Sequence, residues 1–319
     1  IFAVKDRYYA IKEFIDSDKL QVYPEYGDLE AKIAQYAKVK VGQVMVTNGG
    51  DQGIDIVCRA HLNEGEKVII PFPSFAMHYQ SAGIQGAEIL EPAYDKNTGE
   101  FPLKETMDLI SKDEAIKLII LCNPNNPLGS AIQIGNVEKI LKKAKEKDIA
   151  LLHDEAYFEF SKITAQGLVE EYDNLYIMRT FATAFGLVSS RAGHLISQEK
   201  NIQELLKIRG PYDVNMFAKT AIIAALKDLK YMEDYVKEVM EKSKPKLEQF
   251  LKEKGIFFYP SRANFLLLRV ADPSKMVEDF KAQGILLRPK PAPDGKLAVR
   301  ISIGTLKDTE KFILAYSSL

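Results

Sequence analysis

The chain has 319 residues, 46% of them hydrophobic, and a formal net charge of −1; this length exceeds what one apolar core usually supports, so two domains are expected. Near-neutral charge leaves no electrostatic footprint for nucleic acid or an anionic membrane, and no apolar run approaches the roughly 20 residues that span a bilayer. Cys58 and Cys122 lie in the apolar segments IDIVC and LIILC, which predicts buried thiols in a reducing compartment and a soluble, cytoplasmic protein. The four histidines and two cysteines are scattered, so no metal site is expected. The chain starts at Ile1 rather than Met, and Ile1–Val4 is not a signal peptide, so a segment ahead of Ile1 is expected.

In chain order, a helix-period stretch over Gly53–Leu62 precedes apolar runs of strand length at Lys67–Pro71 and Lys117–Cys122. A second helix-period stretch, Val137–Lys147, leads to a third such run, Ile149–Leu152. Strands alternating with helices predict an α/β fold: a large domain whose mostly parallel sheet is covered by helices on both faces. Ligands of such sheets gather beyond the carboxyl ends of the strands, where Asn123–Asn126 and Asp154–Tyr157 stand. From Tyr231 the texture changes. Tyr231–Lys254 reads as one long charged helix stopped by Gly255, and its lysine-rich run Lys242–Lys254 as a solvated face. Short apolar stretches follow at Phe257–Tyr259, Phe265–Val270, Ile285–Leu287 and Leu297–Ile303, the pattern of a smaller α+β domain. The expected division is residues 30–230 for the large domain, and 1–29 with 231–319 for the small one; the segment before Tyr23 is expected to pack on the latter. There is no internal repeat and no low-complexity tract.

Four separated segments suit the gripping of a phosphorylated pyridine. Val46-Thr47-Asn48-Gly49-Gly50-Asp51-Gln52-Gly53 runs from a strand into a helix, where glycines allow close backbone approach and the amides of a helix start favour an anion. Alone, that loop equally fits an ordinary turn or a nucleotide site. Cys122-Asn123-Pro124-Asn125-Asn126-Pro127-Leu128-Gly129 holds two Asn–Pro steps, one of which could be cis, and an amide able to donate to a ring oxygen; its bland reading is a tight turn. In His153-Asp154-Glu155-Ala156-Tyr157 a carboxylate at a strand end can keep a pyridine nitrogen protonated, making the ring an electron sink, although a lone Asp154 would more often be a helix cap. His153 itself reads as a packed neutral residue, and no role is assigned to His194. Finally, Arg179-Thr180-Phe181-Ala182-Thr183-Ala184-Phe185-Gly186-Leu187 runs on to Arg191-Ala192-Gly193, and Thr180 with Arg191 pairs a hydroxyl with a guanidinium suited to phosphate.

Their order and spacing resemble the fold-type I, class I and II aminotransferases, which depend on pyridoxal 5′-phosphate (PLP). The wording N-P-N-N-P-x-G, D-E-A-Y, R-T-F-x-x-A-F-G-L and x-R-x-G is most similar to the histidinol-phosphate aminotransferase branch, from about Tyr23 to the C-terminus. That resemblance implies that Gly49, Gly50, Asp51 and Gln52, with Thr180 and Arg191, hold the cofactor phosphate. It implies Asp154 on the pyridine nitrogen, Asn126 and Tyr157 on the ring hydroxyl, and Phe75 of Pro73-Ser74-Phe75 stacked on the ring, where a core phenylalanine is the bland alternative. Tyr23 matches a tyrosine that reaches the phosphate of a neighbouring subunit, which implies a homodimer. Arg300 matches the arginine that clamps a substrate α-carboxylate, and Arg288 falls near the position that meets a substrate phosphate. Between Arg288 and Arg300 this chain is shorter and proline-rich. The family's Asn-Glu-Asn-Pro substrate segment is expected ahead of Ile1.

One departure bears on mechanism. The family reads Thr-Phe-Ser-Lys-Ala-Phe-Gly where this chain has Thr180-Phe181-Ala182-Thr183-Ala184-Phe185-Gly186. The family's lysine forms the resting Schiff base and shuttles a proton, and a threonine hydroxyl does neither at neutral pH. Lys207 and Lys219 lie downstream with the spacing of solvent-exposed helix positions and are not expected to substitute. The implied reaction is amino-group transfer between an amino acid, histidinol phosphate-like or aromatic, and 2-oxoglutarate. Three rival readings are a PLP-binding protein without turnover, natural or through an engineered Lys-to-Thr change; a PLP-dependent decarboxylase of a phosphorylated amino acid; and a nucleotide-binding α/β protein using the Asn48–Gly50 loop.

Overall fold

The computed structural model describes residues 5–17 and 21–319. Helices α1 (Lys5–Ile15) and α2 (Gly27–Ala37) precede strand β1 (Val44–Thr47), which turns directly into α3 (Gly49–His61). Then come β2 (Lys67–Ile69), α4 (Ala76–Ile84), β3 (Glu88–Leu90), α5 (Leu103–Lys112) and β4 (Ile116–Cys122). Helix α6 (Ile134–Lys145) leads to β5 (Ala150–Asp154), the short α7 (Phe158–Ser161), β6 (Leu175–Thr180) and β7 (Gly193–Ile196). Helices α8 (Glu199–Leu206), α9 (Met216–Lys227), α10 (Leu229–Glu238) and α11 (Lys244–Glu253) follow. The chain closes with β8 (Phe257–Phe258), β9 (Phe265–Arg269), α12 (Pro273–Ala282), β10 (Arg288–Pro291), β11 (Leu297–Ser302) and α13 (Leu306–Ser317).

Seven strands form the large sheet in the order β1-β7-β6-β5-β4-β2-β3. Only β7 runs antiparallel to its neighbours; the other pairings are parallel. A parallel strand buried on both faces needs apolar residues in both side-chain directions, and β4 supplies them. Its Ile119 and Leu121 face the cluster under α5 and α6, while Leu118 and Ile120 face the cluster with Ile54 and Val57 of α3. The fold is therefore α/β, a mostly parallel sheet covered by helices.

The second sheet is antiparallel, ordered β10-β11-β9-β8, with Phe280 of α12 stacked on Phe312 of α13 at 4.7 Å behind it. The strand expected at Ile285–Leu287 begins instead at Arg288 and carries Pro289 and Pro291. An edge strand tolerates residues that lack an N–H, whereas Leu287 is drawn into the core. The long helix expected over Tyr231–Lys254 is present as α10 and α11 joined by a π-helical turn, Val239–Ser243. Pro245 cannot donate within the helix, and the widened turn falls just ahead of it. Ahead of Tyr23, α1 lies on α9, with Phe14 meeting Phe217 edge-on at 5.3 Å. The opposite side of α9, with Ala218, Ile222 and Ala225, joins the apolar core that contains Met232 and Phe312.

Candidate active site

The parallel register places the ends of β4, β5 and β6 side by side. Cys122 pairs with Asp154, Asp154 with Met178, and Thr180 with Gly193 on β7. Beyond these tips lies a cavity of about 200 Å3 that includes Gly50, Asp51, Phe75, Asn126, Asp154 and Tyr157 in its lining. Thr180, Thr183 and Arg191 complete the set of expected residues there, and Cys122, Met178, Ala156 and Ala182 fill the spaces between them.

The floor is Asp154, 2% exposed. Its Oδ1 accepts the Ala156 N–H at 2.9 Å, and its Oδ2 lies 2.9 Å from Nε2 of His78, a fully buried histidine in the first turn of α4. Nδ1 of His78 lies 2.9 Å from Ser74 Oγ. Sequence reasoning missed His78. No local signal pointed to it: Ser74 lies ahead of α4, and the other partner of His78, Asp154, is 76 positions away in sequence.

One wall is the Asn-Pro loop, in which both the Asn123–Pro124 and Asn126–Pro127 bonds are cis. Asn126 Nδ2 donates to Tyr157 Oη at 3.3 Å, and Asn126 Oδ1 accepts from Arg300 Nη1 at 2.8 Å. The Arg300 guanidinium sits 5.1 Å from the Phe265 ring centroid, and its Nε is buried without a partner. Burial pushes the Tyr157 phenol above its usual range, with Arg300 opposing.

The opposite wall joins the start of α3 to the segment after β6. Gly49 has φ +78°, open to a residue without a side chain, and a Cβ on Gly193 would meet Gly49 C and Gly50 N at 2.8 Å. This close approach brings the unpaired amides at the start of α3 next to Arg191, whose Nη2 donates to Asp51 Oδ2 at 2.7 Å. Thr180 Oγ1 accepts the Ala182 N–H at 3.1 Å, and Thr183 Oγ1 donates to Ala156 O at 2.8 Å. Gln52 turns away, accepting from Asn48 N and donating to Asp213.

Besides Gly49 and Gln52, three further expected residues are not in the cavity lining. Tyr23 is 72% exposed and stacks on Tyr212 at 4.2 Å. Arg288 is exposed on the edge strand, directly opposite Arg300. Arg300 approaches the cavity from the second sheet through Asn126. Neither lysine considered as a substitute reaches the cavity: Lys207 pairs with Glu204, and Lys219 with Asp28.

Behind Asp154 the flanking residues point into a buried polar cluster. Glu155 accepts from Arg179 Nε at 2.9 Å and from the Ala165 N–H at 2.7 Å, and lies 3.0 Å from His153 Nδ1. Burial alone would raise the Glu155 carboxyl pKa, but Arg179 and His153 hold it below the usual carboxylate range. Burial pushes the Cys58 thiol up to about 12, and Cys122 is likewise shifted upward by burial and by Asp154. Both thiols are free and buried.

The family model for class I and II aminotransferases matches residues 4–315. The histidinol-phosphate aminotransferase of Geobacillus sp. (strain WCH70) is 33% identical over 97% of this chain and 86% of its own length. Among solved structures, the histidinol-phosphate aminotransferase of Clostridium acetobutylicum superposes with a TM-score of 0.86 at 28% identity, covering 98% of this chain and 93% of that one. The L-threonine-O-3-phosphate decarboxylase of Porphyromonas gingivalis shares the fold, with a TM-score of 0.81 at 19% identity over 98% of this chain and 94% of that one. Matched in this way along nearly its whole length, the chain belongs to the class I and II aminotransferases, a family whose cofactor is pyridoxal 5′-phosphate.

Proposed function

We propose that the strand-tip cavity holds PLP without a covalent anchor and serves amino-group transfer, with Thr183 standing at the lysine position. The observation that supports this reading is the convergence of Asp154, Asn126, Tyr157, Thr180 and Arg191 on one cavity that Thr183 also lines. The donor set fits the cofactor. An acidic floor suits a ring nitrogen, an amide–phenol pair suits a ring hydroxyl, and the helix start with Arg191 suits a phosphate. The buried, unpartnered Nε of Arg300 fits a carboxylate that has yet to arrive.

Each residue then has a definite task. Asp154, steadied by His78 and the Ala156 N–H, holds the proton on the pyridine nitrogen. Asn126 and Tyr157 orient the ring through its hydroxyl, and Phe75 covers one ring face. Thr180, Arg191 and the amides of Gly50 and Asp51 grip the phosphate, while Arg300 receives the substrate carboxylate. Bound PLP would supply an electron sink for charge developing at the substrate α-carbon. Thr183 cannot hold the aldehyde covalently, and its hydroxyl is already committed to Ala156 O. The substrates on this reading are a histidinol phosphate-like or aromatic amino acid and 2-oxoglutarate, and the active unit is a homodimer. We assign residues 30–230 to the cofactor domain, and 1–29 with 231–319 to the small domain.

The Thr183 position favours a second reading, PLP binding without turnover. Loss of the acid–base role alone removes about 10²–10⁴-fold in rate. The test is absorbance titration with PLP, borohydride reduction and mass analysis of peptides. The expected outcome is binding with no reduced adduct in the unaltered chain. Thr183→Lys should give an adduct at that residue and transamination of histidinol phosphate. Binding without transamination in Thr183→Lys would favour the second reading, and carbon dioxide release from a phosphorylated amino acid would favour a decarboxylase. An adduct on another lysine of the unaltered chain, or no PLP uptake at all, would sink the proposal.

A further inference from the structure

The two groups suited to a ring hydroxyl, Asn126 and Tyr157, stand on different segments, one after β4 and one after β5, and meet at 3.3 Å. Alternation along β5 turns Asp154 into the cavity and its neighbours to the other side of the sheet. There His153 is fully buried, with a partner at each ring nitrogen. Its Nδ1 lies 3.0 Å from Glu155 Oε1, and its Nε2 lies 3.2 Å from Asn123 Nδ2. Asn123 precedes Asn126 by three residues, and Glu155 precedes Tyr157 by two. His153 therefore spans the roots of both segments.

The partners fix which nitrogen carries the proton. Burial opposes ionisation of Glu155, but Arg179 and His153 hold its carboxyl below the usual range, so it accepts and Nδ1 donates. Asn123 Oδ1 accepts the Ile132 N–H at 2.9 Å, which makes Nδ2 the amide nitrogen. One Nδ2 hydrogen goes to Ile132 O at 3.0 Å, and the other is left for His153 Nε2. The imidazole is thus a neutral bridge, a donor at Nδ1 and an acceptor at Nε2. Glu155 is anchored in turn by Arg179, Thr164 and the Ala165 N–H, so one end of the bridge is rigid and the other end is the loop. The Asn123 N–H also donates to Asp154 O at 2.8 Å. That backbone bond sets the spacing of the strand tips, and the imidazole restrains the direction in which the loop leaves them.

We propose that His153 is a positioning residue for the cofactor: by bridging Asn123 to Glu155 it holds Asn126 and Tyr157 at the separation that grips the ring hydroxyl. The proposal rests on the PLP-site reading and gives one of its contacts a support outside the cavity lining.

The test compares two ligands by calorimetric titration into the full chain: PLP, and its 3-deoxy analogue, which keeps the ring nitrogen and phosphate but lacks the hydroxyl. In the unaltered chain PLP should bind about tenfold more tightly, the effect of one charge-assisted hydrogen bond. His153→Leu is of similar size and leaves Glu155 its other three partners. It should lose the PLP advantage while binding the analogue within about twofold of the unaltered chain. His153→Asn, whose short amide reaches Glu155 but not Asn123, should behave in the same way, and it decides the matter if the leucine variant does not fold. His153→Gln presents an acceptor at the Nε2 position and should keep the advantage. A histidine that only packs would weaken both ligands alike, so parallel losses in His153→Leu or His153→Asn would overturn the proposal. So would a PLP advantage that survives in those variants, or equal binding of the two ligands by the unaltered chain; the cofactor site would still stand. Failure of the unaltered chain to bind either ligand would overturn the cofactor reading and the bridge with it.

Discussion

His194 sits in β7 against Phe181, its ring 5.4 Å away, with neither ring nitrogen satisfied. Burial lowers its pKa to about 3, and Arg179 adds to the shift. In the unfolded chain the same imidazole takes a proton near pH 6.5. The unfolded state therefore binds more protons between about pH 6.5 and 3, and by linkage stability is intact above that window and falls as pH drops through it. The loss between pH 6.5 and 4.5 amounts to about 2–3 kcal/mol on the order-of-magnitude rule of 1.4 kcal/mol per unit. His194→Phe removes the titrating group and the unsatisfied nitrogens together. Its melting temperature should fall less than that of the unaltered chain between pH 7 and pH 4.5. Parallel losses in the two proteins would mean that His194 is not what senses acid. The same residue illustrates a boundary of sequence reading, since nothing local marks this histidine as enclosed by Phe181 and Arg179. His78 is a parallel case: its partner Asp154 is 76 positions away, and only the sheet brings them together.

At the scale of elements, the turn over residues 260–263 ties the two sheets. The Arg262 N–H donates to Gly129 O at 2.7 Å, docking the segment ahead of the small sheet's β9 on the loop that carries Asn126. Lys244, at the start of α11, holds that turn from behind by donating to Ser261 O and to Ala263 O. Lys244→Met would leave both carbonyls without their ammonium donor, a cost of about 1–3 kcal/mol for each buried group left unsatisfied. A lowered melting point with weaker PLP binding is the expected outcome, measured by calorimetry and absorbance titration. An unchanged PLP affinity in a destabilised variant would confine Lys244 to stability. Elements were legible where periodicity was clean. The runs in β4 and β5 read as strands because they are apolar on both faces. Strand β6 did not, since Arg179 breaks its apolar run; Glu155, just beyond the end of β5, meets that buried charge at 2.8 Å, and Thr164 accepts from it as well. Strand β10 lies outside the apolar run Ile285–Leu287 and is hard to see in the sequence, because its prolines argue against pairing in all but an edge strand. The site followed the same rule. Segments whose backbone order carries the chemistry, such as Asn123–Gly129 and His153–Tyr157, were legible, whereas the facing of Arg288 and Arg300 depends on the register between β10 and β11.

At the scale of the whole molecule, exposed apolar side chains gather around α1 and α9. Tyr23 and Tyr212 stack with 72% and 51% exposure, Phe217 is 43% exposed, and Val188 lies three residues before Arg191. A groove lined in part by Phe14, Val22, Met216 and Ile223 continues this surface between α1 and α9. Contiguous exposed aromatics on a folded chain mark an interaction surface more often than chance exposure does. A second copy of the chain is the occupant implied by the family resemblance, and it would bring its own Tyr23 toward the phosphate end of the neighbouring cavity. Two variants separate assembly from chemistry. Phe217→Asp places a charge in the contact and should yield monomers by light scattering, with weakened PLP binding. Tyr23→Phe keeps the ring but removes the hydroxyl. It should remain dimeric while losing about five- to tenfold in PLP affinity, as expected for one hydrogen bond to a charged group. A Tyr23→Phe dimer that binds PLP as tightly as the unaltered chain would show that each cavity is complete within its own subunit.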